Sequence, residues 1–212
     1  MELSARGSYA VGRRRRDRIV DVATAKFTEG GYSRTSLAEI AREVGLTTPG
    51  LTHHFPTKQH LLLAVADRRL NIATALVESS PPDVDGLGPL RLMLRISKRL
   101  AEEPALAELF VLVSAEAADP NGPAHPLFVE HYTKVVEELA GLLRAGADNG
   151  FLRTDIDYVD VARECIAVAD GVQLQWVITR GEVDLVGIIR RHLERVGESI
   201  TVSAEPVCLE EQ

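Results

Sequence analysis

T-S-L-A-E-I-A-R-E-V-G-L-T-T-P-G-L-T-H-H-F-P-T-K, from Thr35 to Lys58, reads as a short helix, a tight turn and a second short helix. Ser36 and Glu39 have the S-x-x-E spacing of a capping box, in which each side chain satisfies an orphan backbone N–H near the other. Leu37, Ile40 and Val44 recur at helical spacing and predict one buried face. Gly45 follows at once, where the helix must stop and a positive φ is needed. Thr47 or Thr48 caps the second helix, and Pro49 fits its first turn, where an amide hydrogen has no helical partner. Leu51 and Phe55 anchor that helix inward, leaving Thr48, Gly50, Thr52 and His53 facing away from the core. Ala41-x3-Gly45-x5-Leu51 supplies the small contact residue, turn glycine and apolar plug that a helix-turn-helix requires. The alternative is a plain helical hairpin, which has no need of short polar residues on the outer face of a seven-residue helix.

Upstream, Arg13 to Gly30 is an amphipathic helix with Ile19, Ala23 and Phe27 in line, closed by Gly30-Gly31 and able to complete a three-helix unit. Arg13-Arg14-Arg15-Arg16 reads either as a solvated helix start or as an N-terminal arm on phosphates or in a minor groove. Four cations at the positive end of a helix dipole are unfavourable without an anion nearby, which favours contact.

The segment from Arg16 to Leu62, including Phe55-x-x-Lys58-x-x-Leu61-Leu62, resembles the DNA-binding domain of the tetracycline-repressor (TetR) family. That resemblance implies an all-α homodimer of about nine helices. Residues 1–58 would form the helix-turn-helix DNA-binding domain and residues 59–212 an antiparallel ligand-binding and dimerisation bundle. Carried over position by position, Ser36, Thr47, Thr48, Gly50, Thr52, His53, His54 and Lys58 fall where family members touch DNA. Arg13, Arg14 and Arg34 join them as candidate DNA-binding residues. The family usually has Tyr where this chain has Thr52, whose methyl can instead meet a thymine methyl.

The whole chain has 212 residues, 45% hydrophobic and 26% charged, with a net charge of −7. Such a composition is that of a soluble globular protein. Split at residue 58, the charge is +4 in the head and −11 in the body. A basic head on an acidic body suits local attraction to phosphate, because the field fades within about 10 Å at moderate salt; ordinary solubility charge is the other explanation. The basic start leads into an amphipathic helix and not an apolar run, and no stretch is long and apolar enough to span a membrane. Cys165 and Cys208 lack metal-like spacing. Together these features predict a cytoplasmic protein.

In the body, a helix is expected over Lys58–Ser79, stopped by Pro81-Pro82. Others are expected over Pro89–Glu103, Pro104–Ala118 and Leu127–Ala147, with a loop over Asp119–Pro126. Val159–Ile178 is apolar on more than one face, and a narrower stripe runs from Leu185 to Ile200. Pairing both with symmetry mates makes a four-helix interface, the arrangement the resemblance implies, with Val161, Cys165, Val172, Leu185, Ile189, His192 and Val196 at the joint; a larger monomeric core is the alternative. The residues after Ser199 read as a frayed tail. Glu116, Phe128, His131, Tyr132, Asp170, Gln173 and Trp176 interrupt apolar stretches. Each alone fits a structural role; as a set they suggest an apolar cavity with polar anchors for an uncharged or weakly polar molecule.

No glycine-rich phosphate loop, H-E-x-x-H, C-x-x-C or G-x-S-x-G is present, so neither an enzyme nor a metal or cofactor site is expected. Adjacent His53 and His54 diverge by about 100° on a helix and do not share a metal. The expected function is a ligand-responsive dimeric regulator, a repressor on a palindromic operator in double-stranded DNA, released by a small-molecule inducer. An activator, or a helical small-molecule carrier without operator recognition, are the competing readings.

Overall fold

A computed structural model describes residues 2–66, 83–203 and 206–209, with the backbone alone for residues 2–13. Among the described residues the chain is all-α: α1 (Glu2–Gly30), α2 (Leu37–Glu43), α3 (Thr48–His54), α4 (described over 58–66), α5 (Gly88–Ala101), α6 (Pro104–Glu116), α7 (Ala124–Asp148), α8 (Tyr158–Ile178) and α9 (Leu185–Ile200). One isolated bridge, Leu152 to Thr201, is the only β pairing among them. The expected continuation of α4 to Ser79, with the stop at Pro81-Pro82, lies outside the described residues. No described helix is long and apolar enough to cross a membrane.

Two buried clusters organise these helices. The first joins Ile19, Ala23 and Phe27 of α1 to Ile40, Leu51, Phe55, Leu61 and Leu62, and reaches into α6 and α7 through Leu109, Phe110, Val113 and Phe128. The second gathers α5, α7, α8 and α9 around Leu90, Leu94, Leu143, Ala162, Cys165 and Leu193. Each fully buried Leu, Ile or Phe contributes about 1.5–3 kcal/mol relative to exposure. Because α6 and the start of α7 lend side chains to the first cluster, the head is held to the body by apolar contact as well as by the chain.

Three expectations are corrected. Helix α1 starts at Glu2 and not near Arg13, so the arginine cluster lies inside a helix and the helix-dipole argument for it falls; no proline interrupts residues 1–30 to force a later start. Helix α7 starts at Ala124, because Pro126 sits in the first turn where its missing N–H costs nothing. The tail is not frayed throughout. Leu209 is buried in the second cluster, Val207 packs beside it, and the Leu209 amide reaches Glu194 Oε1 at 3.5 Å. Beyond these corrections, six of the seven residues expected at the dimer joint (Cys165, Val172, Leu185, Ile189, His192 and Val196) are buried within one protomer, and Val161 is half-buried. Helix α8 packs on α6, α7 and α9, and its greasiest positions are spent there.

Candidate nucleic-acid interface and body sites

The turn between α2 and α3 is built from local bonds. Ser36 Oγ accepts the Glu39 amide at 3.2 Å, while Glu39 Oε2 accepts the Ser36 amide at 2.7 Å and its hydroxyl at 2.9 Å. These bonds hold the Glu39 carboxyl below its usual range. Gly45 has φ +74°, and the Leu46 amide returns to Ala41 O at 2.8 Å. Thr47 caps α3 by accepting the Gly50 amide at 3.2 Å, Pro49 lies in the first turn, and Leu51 and Phe55 close inward.

The outer face of α3 then carries Thr48 and His53, both exposed, with Gly50, Thr52 and His54 half-buried beside them. Hydroxyl directions sort these residues further. The Thr52 hydroxyl donates back to Pro49 O at 3.2 Å, leaving its methyl as the group free to meet a base. Ser36 spends its donor on Glu39. Thr47 accepts the cap bond and keeps its hydroxyl hydrogen for an outside acceptor. A Cβ at Gly50 would sit 3.3 Å from Thr47 Oγ1, so glycine there leaves room for the cap.

Around this face the cations divide into two groups. Arg34 Nε donates to Gly30 O at 2.9 Å, fastening the C-terminal end of α1. It borders an open mixed-charge cleft with Lys26, Glu29, Glu39, Arg42 and Glu43. Lys58 Nζ lies 4.3 Å from the centre of the Tyr32 ring and donates to Ser33 O at 3.4 Å; partial burial lowers its pKa. The second group flanks α3. Arg14, Arg15, Arg16 and Arg18 are exposed along α1, and the Arg16 guanidinium stacks 4.7 Å from the centre of the Phe55 ring. The side chain of Arg13 lies outside the described residues. Tyr32, and the stacking of Arg16 on Phe55, escaped sequence reasoning because the partners, Lys58 for Tyr32 and Phe55 for Arg16, are remote in sequence.

In the body, the residues picked for a ligand separate. Phe128, His131 and Tyr132 of α7 form a ring cluster with Phe110 of α6, with centroids 5.3 to 6.2 Å apart. Phe110 was not singled out, since one aromatic in an apolar run carries no signal. The Tyr132 hydroxyl donates to Asp170 Oδ2 at 2.7 Å, and burial together with that carboxylate raises the tyrosine pKa. Gln173, one turn along α8, is buried. Trp176 packs against the second cluster instead. Glu116 belongs elsewhere: its Oε2 accepts from Gln59 Nε2 of α4 at 2.6 Å, and it faces the Tyr32 phenol closely enough to raise its pKa after burial has done so. Glu116 thus sits at a seam where α6 meets the start of α4 and faces Tyr32 of the head. Cys165 is buried, and desolvation pushes its thiol up to about 12, so it packs and does not react at neutral pH.

The outward face of α8 retains Leu174, 43% exposed, and Ile178, 70% exposed. His192 of α9 is buried with Nε2 lacking a hydrogen-bond partner, 4.0 Å from Glu164 Oε1. Burial lowers its pKa, against the pull of that carboxylate.

Comparison with known proteins joins these features. Residues 19–65 match the model of the tetR family of bacterial regulatory proteins, and residues 90–198 match the C-terminal region of BetI-type transcriptional repressors. The A-factor receptor protein of Streptomyces griseus is 27% identical over 86% of this chain; the match spans 62% of that protein's length. The transcriptional regulator TtgR of Pseudomonas putida is 23% identical over 84% of this chain and 88% of its own. The solved SmeT–triclosan complex superposes with a TM-score of 0.74 at 23% identity, covering 94% of this chain and 98% of SmeT. A capped helix-turn-helix on a three-helix head, followed by a BetI-type body, places the chain in the TetR family of bacterial transcriptional regulators.

Proposed function

We propose that the chain is a dimeric repressor whose two heads, residues 1–58, read a palindromic operator, and whose body, residues 59–212, binds a small molecule that releases it. The observation that carries this reading is the outward face of α3, with Thr48, the Thr52 methyl and His53 on a rigidly capped helix of a net-positive head. In this reading Thr48, Gly50 and Thr52 meet base edges, while Thr47, Lys58, His53, His54 and Arg14 hold phosphates. Ser36 serves the fold first, since its donor is already engaged, while Arg34 spends its Nε–H on Gly30 O.

The ligand site is the ring cluster of Phe110, Phe128, His131 and Tyr132, with Asp170 and Gln173 as polar anchors. SmeT is solved as a complex with triclosan, which supports a small-molecule ligand here. Two copies associate through the outward face of α8, where Leu174 and Ile178 remain exposed. Ligand entry shifts α6 and α7 together and is felt at the Glu116–Gln59 seam, changing the spacing of the heads. A coupling of about 1–3 kcal/mol gives 5- to 150-fold regulation.

Selection of bound sites from random duplexes by the purified chain, followed by anisotropy titration on the selected site, tests this reading. A palindromic consensus and an affinity that falls by about 0.9 log units per log salt for each phosphate contacted are expected. A chain that binds small molecules and ignores every duplex at low salt would be a carrier.

A further inference from the structure

On the flank of α3 stands a cluster of cations. His53 and His54 occupy the last turn of α3, their rings 5.7 Å apart and edge-on. Across from them runs α1, with Arg16 stacked on the Phe55 ring and Arg15 beside it. The charged groups acting on the His54 imidazole are His53 on its own helix and Arg15 and Arg16 on α1, all positive or able to become so. The arginines are always charged, and burial together with these neighbours gives the His54 imidazole a resistance to charging. An anion that settles among them removes the resistance.

We infer that Arg15, Arg16, His53 and His54 form one phosphate-contact site on which duplex DNA and protons bind cooperatively. This inference rests on the operator-reading proposal and adds proton linkage to it. In the free chain, burial and the neighbouring cations depress the His54 pKa. A phosphate at the patch favours the imidazolium and raises that pKa in the complex. The sign follows by linkage. The complex binds more protons than the free chain, so affinity is greatest below the free-state pKa and is lost as pH rises through the bound-state pKa. Because phosphates and not bases supply the anion, the effect is independent of DNA sequence.

The test uses the full chain and a fluorescein-labelled duplex of about thirty base pairs, long enough for two half-sites. Anisotropy titrations at low salt from about pH 6 to about pH 8 should show affinity falling roughly three- to tenfold as pH rises. The H53Q/H54Q variant should bind with a nearly flat profile, and Arg15→Ala should reduce the salt slope by about one phosphate per head. Binding by the parent chain that does not vary with pH, or an unchanged slope in H53Q/H54Q, overturns the linkage while leaving operator reading intact. Failure to bind at every pH removes both. Should H53Q/H54Q not fold, calorimetry of the parent chain in two buffers of different ionisation enthalpy decides: net proton uptake supports the site, and none overturns it.

Discussion

The Thr47 hydroxyl takes the Gly50 amide hydrogen at 3.2 Å, and that one bond fixes where α3 begins. Thr47→Ala leaves the amide unpartnered at a helix end and should cost about 1 kcal/mol. For a chain of this length that is a fall of about 2–4 °C in melting temperature, readable by circular dichroism. Gly45→Ala attacks the same turn differently. Nothing lies within 4 Å of the added Cβ, so the whole penalty is the left-handed backbone at φ +74°. About 1 kcal/mol is expected, with operator contacts unaltered in the molecules that remain folded. In the body, Tyr132→Phe keeps the ring and removes only the bond to Asp170. Isothermal titration should find the ligand's apolar contribution intact and polar selectivity reduced; unchanged binding of every ligand would remove Tyr132 from the site.

At the scale of the helix, α2 and α3 were legible because their signals are local. A capping box, a turn glycine, a threonine cap and a first-turn proline all act within a few residues of one another. The dimer joint was less legible, because hydrophobicity reports that a residue is buried and not by what. Cys165 and Val172 of α8 are buried in the second cluster of their own protomer, while the face left outward is marked by the modest pair Leu174 and Ile178. Glu116 was hard to place for a similar reason, since a carboxylate in an apolar helix signals a partner without naming it. Its partner proved to be Gln59, at the start of α4. Glu116→Ala should therefore shrink the ligand's effect on DNA affinity more than it changes affinity without ligand. Anisotropy with and without ligand checks this, and an unaltered ratio would deny the seam a part in coupling.

For the whole molecule the decisive quantity is the distance between two heads, and that distance exists only in a dimer. One head of net +4 on a body of −11 gains a few phosphate contacts against a body that repels the duplex. Two heads in register double the contacts, and with them the salt slope. The joint must use surface that the protomer leaves uncovered, which on α8 means Leu174 and, most of all, Ile178 at 70% exposure. Ile178→Asp does not disturb either buried cluster, so the protomer should keep its helical content and melting behaviour. Introduced twice across a symmetric joint, the carboxylates face each other and lose the apolar contact as well. Sedimentation should find a monomer, and the salt dependence of duplex binding should fall to about half. A folded Ile178→Asp dimer that retained the full slope would move the joint off this face of α8.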